Sequence, residues 1–489
     1  MRTKYRDQEP TSKKRTLDKN NPDVVVQSYK FALKPTAVQE QKLRQHIGAS
    51  RFVYNSQLAL WHQTLDIRNK EKQRGVSEDE LTPFPFSFHR FSIQNQWNAT
   101  KDERAPWNRE VSKGAYEDGC RRVSIALMNW YKSKTGECEG RKVGLPRFHK
   151  RGRHDSCTFY NNPIRVNPDR YSVTLPRLGA IKTYENTRKL QRKIAKGTAR
   201  IVSATISRGH KYWYVSFTVY VRKHIPEHHC HSGSIVGVDM GVGDHVIVAA
   251  TPNGDEVMRK GLPTTIADHE KRIRHLQRKM SRKRGPDKRT KTTPSNRWVR
   301  ANNQVRKHHN TVSNVRRDFA AKVAHELAKN CETVVIEDLN VRSMMARGGA
   351  YKRGLNRAIA QASFADLRRR ITYKTQWNGG TTIVADRWFP SSKTCSGCGE
   401  VKSKLSLSER EYVCHRCGIV VDRDLNAATN LAKLAVPKSG VSNIHRTGSS
   451  PGMGRGGAGK TSSLSGGLAP ADEASMARKG LSGRKAGAR

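Results

Sequence analysis

A multidomain α+β architecture follows from three features of the 489-residue chain. Alternating apolar residues mark β-strands in two separate regions, residues 199–221 and 234–259, with helix-spaced apolar residues before and after them. Two Cys-x-x-Cys pairs, Cys395/Cys398 and Cys414/Cys417, stand at zinc-ribbon spacing, since each pair presents two sulfurs to one tetrahedral ion. The length itself exceeds what a single hydrophobic core supports.

Charge narrows the partners. There are 92 Lys+Arg against 42 Asp+Glu, a formal net charge of +50. Such a surplus repels itself unless a polyanion is bound, and phosphate neutralisation with counterion release makes nucleic acid the natural one. No apolar run reaches the roughly 20 residues of a membrane span, and no signal-like segment follows Met1-Arg-Thr-Lys-Tyr-Arg6. Beyond the tetrad, Cys120, Cys138, Cys157, Cys230 and Cys331 are scattered without a disulfide framework. That usage fits a reducing cytoplasm.

Residues 1–23 read as a basic disordered arm. Val24–Leu33 has strand character and stops at Lys34-Pro35. Thr36 with Gln39 predicts a capping box and a helix ending near Gly48. From Phe52 to Tyr131 helical spacing persists, broken by Thr82-Pro-Phe-Pro-Phe86, which predicts several short helices. The following β region contains a hairpin of Ala199–Ile206 and Lys211–Val221. Trp213, Val215, Phe217, Val219 and Val221 share one face; Tyr212, Tyr214, Ser216, Thr218 and Tyr220 share the other, as a base-stacking surface or plain decoration. A five-stranded barrel interrupted by the helical block is the economical arrangement.

A second β pattern begins with Ser234–Gly241, pairs with His245–Ala250 and adds Glu256–Arg259 after the Asn253-Gly254 turn. Very basic helices over 264–329 follow, then strand Thr333–Leu339, helix Asn356–Trp377, strand Thr381–Ala385, the ribbon, and a final helix from Asn426. Three strands, a helix, a strand, a helix and a strand, with acids at strand ends, is the order of a ribonuclease-H-like α/β domain. The Lys/Arg of 264–329, with Trp298 and His308-His309 interspersed, suit a channel that tracks a nucleic-acid backbone. After Pro437 the Gly/Ser/Ala/Arg composition predicts disorder. Gly454–Thr461 spells a phosphate-binding loop but lacks the flanking strand and helix such a loop needs. His228-His-Cys-His231 reads as a solvated linker rather than a metal site.

Asp239, Glu337 and Asp424 each lie at a strand end or helix start, where a fold can aim them into one cleft. Three carboxylates at one point repel unless divalent cations lie between them; two Mg²⁺ ions about 3.5–4 Å apart would bind such acids, activate a water for attack on a phosphodiester and stabilise the leaving oxygen. Alternation turns Asp338 away from Glu337. The tetrad, closed by four thiolates, suits one structural Zn²⁺ with no open position; a redox dithiol pair is the rival reading.

Gly237-Val-Asp-Met-Gly241, Val335-Ile-Glu-Asp-Leu-Asn340, Trp388-Phe-Pro-Ser-Ser-Lys-Thr-Cys-Ser-Gly-Cys-Gly399 and Asp422-Arg-Asp-Leu-Asn-Ala-Ala428 resemble the RuvC motifs and zinc ribbon of the TnpB family, transposon-encoded RNA-guided nucleases related to small type V CRISPR effectors. Tyr29-Lys-Phe-Ala-Leu-Lys-Pro35 and Arg51-Phe-Val-Tyr-Asn55 resemble its N-terminal start. The resemblance makes Asp239, Glu337 and Asp424 the three catalytic, Mg²⁺-binding acids. It selects Asp424 over Asp422, because Asp424 directly precedes Leu-Asn-Ala-Ala. It also implies the domain order: a wedge β-barrel whose first strand is 24–35, a helical recognition domain at 36–150, the rest of the barrel at 151–232, a RuvC nuclease domain at 233–388, a zinc ribbon at 389–420, the third RuvC motif at 421–436 and a disordered tail at 437–489.

The implied function is RNA-guided, Mg²⁺-dependent cleavage of double-stranded target DNA beside a short protein-read motif, leaving 5′-phosphates. The expected partners are a guide RNA and target DNA, with no membrane; the expected location is the cytoplasm of a prokaryotic cell, at the nucleoid when bound to target, and the oligomeric state is left open with a monomer favoured. A small type V CRISPR effector and a non-cleaving RNA-guided regulator are the two rivals.

Overall fold

The computed structural model describes residues 17, 21 and 23–436, except 139–141, 153–154, 161–162, 210, 224, 288, 347–351 and 407–408. The basic arm, the tail and the Gly454–Thr461 match fall outside the described residues, apart from Leu17, Asn21 and Asp23. The described chain forms two compact units, one up to Arg222 and one from Lys223. No described helix is long and apolar enough to cross a membrane.

The first unit begins with β1 (Val24–Lys34), followed by α1 (Ala37–Gln73), α2 (Arg90–Arg104) and α3 (Lys113–Lys134). The Thr36/Gln39 capping box is present. The helix it starts does not end near Gly48, however. Leu43, Ile47, Ser50, Val53, Tyr54, Leu58 and Trp61 continue one buried face through the glycine, and that burial outweighs a glycine penalty of about 1 kcal/mol. Helix α1 is therefore long, against the expectation of several short helices. It meets α3 closely: a Cβ on Gly119 would lie 2.7 Å from the Ser50 carbonyl oxygen. Beside this contact Ser50 donates to the buried Asp118 at 2.7 Å, and Arg122 pairs with Asp118 at 2.9 Å.

The strands β2 (Ser156–Tyr160), β3 (Arg165–Val166), β4 (Ser172–Leu175) and β5 (Gly179–Thr183) precede α4 (Arg188–Ala195), then β6 (Ala199–Arg208) and β7 (Trp213–Arg222). They join β1 in a seven-stranded sheet of order β2-β6-β7-β1-β5-β4-β3. Two more strands take part than expected. No ladder among the described residues joins β2 to β3, so hydrogen bonding leaves the expected barrel open. The predicted alternation of β7 holds, with Trp213 through Val221 buried on one face. On the other face Lys30 sits 4.1 Å from the Tyr214 ring and Lys211 4.9 Å from Tyr212, so cations already cover those tyrosines.

The second unit contains β8 (Ile235–Asp239), β9 (Ile247–Ala250), β10 (Glu256–Lys260), α5 (Thr264–Ser281), α6 (Asn296–Asn330), β11 (Thr333–Ile336), α7 (Val341–Met344), α8 (Lys352–Ala362), α9 (Phe364–Trp377) and β12 (Thr381–Val384). The ribbon hairpin β13 (Glu411–Val413) and β14 (Val420–Asp422) leads into α10 (Arg423–Lys433). The five main strands order as β10-β9-β8-β11-β12, antiparallel among the first three and parallel from β8 to β12. The predicted helix Asn356–Trp377 is two helices, because Ser363 takes a left-handed φ of 53° between them. The last helix starts at Arg423, three residues before the expected Asn426.

Period-two alternation splits the sheet's faces. Val236, Val238, Val334 and Ile336 pack with Ala324 and Leu327 of α6 and Leu367 and Ile371 of α9. Val335 packs instead with Leu431 of α10. Gly237 lies under α10 at a distance no side chain allows. A Cβ there would stand 2.0 Å from the Ala428 carbonyl oxygen and 2.3 Å from the Ala432 nitrogen.

Candidate metal centres

Strands β8 and β11 run parallel with Ile336 opposite Val238. Asp239 and Glu337 follow those positions, so they stand side by side at the carboxyl ends of neighbouring strands. In open α/β sheets that edge is where ligands bind. Both acids share the parity of Gly237 and Val335, the face covered by α10. Asp424 lies in the first turn of α10. The Gly237 contact thus brings the third acid to the first two.

The electrostatics register the convergence. Burial pushes the Asp239 carboxyl well above the usual range, and the charges of Glu337 and Asp424 push it further; Arg423 and the Met240 amide oppose them. Burial also raises Glu337, against a hydrogen bond from the Ser391 hydroxyl. Asp338 faces the other way, as alternation requires. Arg368 at 2.6 Å and Arg387 hold its carboxyl below the usual range. Asp422 is spent on structure: it accepts from the Leu425 amide at 2.9 Å as the N-cap of α10 and pairs with Arg259 at 3.2 Å.

The four cysteines gather as their spacing predicts. Their sulfurs lie within 4.8 Å of one another, with Cys395–Cys417 and Cys398–Cys414 both 3.6 Å apart. Tetrahedral Zn–S bonds of about 2.3 Å set sulfurs roughly 3.8 Å apart, so the cage fits Zn²⁺. Each knuckle closes on a glycine of positive φ, with Gly399 donating to the Cys395 carbonyl and Gly418 to the Cys414 carbonyl, both at 3.0 Å. Among the described residues no other group of three or more His, Cys, Asp or Glu side chains is drawn so tight.

Sequence reasoning missed what joins the two centres. Asn430 donates to the Ser391 and Thr394 carbonyls at 2.8 and 2.6 Å. Asn426 donates to the Thr394 carbonyl at 2.7 Å and accepts from the Ser396 amide at 2.8 Å. Helix α10 thereby grips the loop that carries both Ser391 and the first zinc cysteine. Two buried asparagines at i and i+4 in an Ala-rich helix were the available signal.

Other candidates divide. His229 is buried and packs its Nε2 3.1 Å from the Ala328 carbonyl at the end of α6, and its Nδ1 accepts from the His231 amide. The expected solvated linker is therefore anchored. Helices α5 and α6 pack through Ile266, Ile273, Val305 and Val312 and leave Lys271, Arg272, Arg274, Arg278 and Lys279 exposed. Trp298 is half-buried near Gly285, and His308 meets His269 at 2.8 Å, so neither ring faces freely outward.

The fold is mixed α/β, with carboxylates at parallel strand ends and a four-cysteine cluster able to hold zinc. Family models match in three places: "Helix-turn-helix domain" over 25–70, "Probable transposase" over 216–347 and "Cas12f1-like, TNB domain" over 364–431. The first of these regions is here one strand and one continuous helix. "Putative RNA-guided DNA endonuclease MT2953" of Mycobacterium tuberculosis is 34% identical over 448 residues, covering 88% of this chain and 93% of that protein. "TnpB-like" proteins of Acanthamoeba polyphaga mimivirus are 36% identical over 150 residues, 30% of this chain and 28% of theirs. A solved Cas12f1–sgRNA–target DNA complex is 14% identical with a TM-score of 0.46, covering 84% of this chain and 99% of that one. The chain belongs to the TnpB family.

Proposed function

We propose that this protein is an RNA-guided DNA endonuclease of ribonuclease-H-like RuvC type, cutting with Asp239, Glu337 and Asp424. The observation that carries the reading is the placement of Asp239 and Glu337 at the ends of neighbouring parallel strands, on the face against which α10, the helix bearing Asp424, is packed. The naming of the relatives as RNA-guided DNA endonucleases supports it. An all-carboxylate donor set suits Mg²⁺, and two such ions held by the three acids would supply an activated water and neutralise charge on the phosphate.

The chain's own residues do the positioning. Ser391 orients the Glu337 carboxylate, Arg423 sets positive charge beside Asp239, and the α10 first turn presents Asp424. In-line attack by water then leaves a 5′-phosphate and a 3′-hydroxyl. Cys395, Cys398, Cys414 and Cys417 hold one structural Zn²⁺ with no open position. The exposed cations of α5 and α6 follow a nucleic-acid backbone. The first unit holds the guide RNA and reads a short motif on the double-stranded target, while guide pairing selects the sequence.

The test is purification without added RNA, sequencing of any RNA that copurifies, and cleavage of a matched plasmid with and without Mg²⁺. Bound RNA and Mg²⁺-dependent cleavage lost in Asp239→Ala are expected. A preparation free of RNA, or equal cleavage by that variant, overturns the reading. The match to the "Cas12f1-like, TNB domain" model favours a second reading, a small type V CRISPR effector. Repeat-derived RNA would select it over transposon-end RNA. Guided binding without cleavage by the intact chain would instead indicate a regulator.

A further inference from the structure

Trp388 is 84% exposed, while the other seven tryptophans of the chain are buried or half-buried. Its neighbour Phe389 packs with Val335, Ala385 and Leu431 in the core, so the backbone sends one aromatic in and the other out. The outward ring is not on a loose tail. The Asp386 carboxylate accepts from the Trp388 amide at 2.8 Å, the Asp386 carbonyl from the Phe389 amide at 3.1 Å, and the Phe389 carbonyl from the Ser391 amide at 2.9 Å. Holding a large apolar ring in water forfeits the gain from burying it, which a partner would recover.

The setting identifies that partner. Ser391, three residues on, touches Glu337, and Arg387 on the other side pairs with the adjacent Asp338. Three residues span at most about 10 Å, roughly three nucleotide steps. The surface is part of a chain of net charge +50. A flat π-face that close along the chain to the acids suits a nucleobase, since every base offers a face to stack on.

We propose that Trp388 stacks on a base of the single DNA strand entering the Asp239–Glu337–Asp424 site, within a few nucleotides of the phosphate to be cut. This inference rests on the nuclease reading above. The indole gives the strand a fixed stop, so the scissile phosphate halts in register with the acids. Sequence does not matter to the contact, which suits an enzyme whose specificity comes from its guide.

The experiment uses the full chain with its copurified RNA and single-stranded DNA matched to that RNA. 2-Aminopurine replaces one base at a time within four nucleotides of the mapped cut, in an Asp239→Asn background that keeps the strand intact. Quenching at one position is expected with Trp388, recovery of that fluorescence in Trp388→Ala, and retained quenching in Trp388→Phe. In the cleaving enzyme Trp388→Ala should raise KM roughly five- to hundred-fold, with Trp388→Phe intermediate. Melting temperature and zinc content of Trp388→Ala confirm an intact fold. Unchanged fluorescence and KM in Trp388→Ala overturn the proposal, as does a loss of bound RNA from that variant, which would make the guide the occupant. If the unaltered complex fails to cut matched DNA, the nuclease reading falls and this inference with it; if it cuts, only the stacking role is at stake.

Discussion

The Ala428 carbonyl oxygen lies 2.0 Å from the place a Cβ on Gly237 would take. Strand β8 and helix α10 are pressed together at this point, and Asp239 and Asp424 lie just beyond it on the two elements. Gly237→Ala must push the helix off the strand. Overpacking of this kind costs about 1–3 kcal/mol or more. Thermal denaturation should show a lowered melting temperature, and Mg²⁺-dependent cleavage should fall further than stability because Asp424 is displaced. A variant as stable and active as the parent would refute the close contact.

The two aspartates around Arg423 separate by role. Asp422→Ala removes an N-cap and an ion pair, with an expected loss of roughly 1 kcal/mol in stability and most cleavage retained. Asp424→Ala should do the reverse, sparing the melting temperature and abolishing cleavage. Comparing denaturation and plasmid cutting in the two variants checks the assignment.

The Ser391 hydroxyl touches the proposed site through its hydrogen bond to Glu337. Ser391→Ala should leave DNA binding intact and raise the Mg²⁺ concentration for half-maximal cleavage by roughly 10- to 100-fold, the usual effect of losing a partner behind a metal ligand. A Mg²⁺ titration of cleavage is the measurement. Ser391→Thr, which keeps the hydroxyl, should recover part of the affinity.

Asp239 and Glu337 both have raised folded-state pKa values, chiefly from burial. A group whose folded pKa exceeds its unfolded value binds more protons in the native state, so its stabilising effect is complete below the unfolded pKa. It is lost as pH rises through the folded value. In Mg²⁺-free buffer with zinc retained, melting temperature should therefore fall as pH climbs above the ordinary carboxylate range of about 4. Asp239→Asn should flatten that fall, and Mg²⁺ should restore stability at neutral pH. A pH profile identical in Asp239→Asn and parent would show that Asp239 does not carry it.

Much of the second unit was legible because its rules are local. Alternation located β8 through β12, and the same parity told Glu337 from Asp338. Cysteine spacing located the ribbon, and a family motif separated Asp424 from Asp422. The failures share a cause: they were decided by contacts across the chain. Gly48 looked like a helix end until the buried face of α1 overrode it. Ser363 breaks a helix that periodicity ran straight through. His229 became an anchor only because α6 ends beside it. Ser391, Asn426 and Asn430 carry no chemistry alone, and their importance exists only once the ribbon loop meets α10.

That meeting makes the acids interdependent. Helix α10 bears Asp424, and through Asn430 it also fixes the loop whose serine steers Glu337. A shift of this one helix disturbs two of the three carboxylates together. Substitutions at Asn430 and Ser391 should therefore combine with coupling energies rather than simple sums. The proposed site should then behave as one cooperative unit, in which the shared helix, more than any single acid, sets whether all three carboxylates are in place at once.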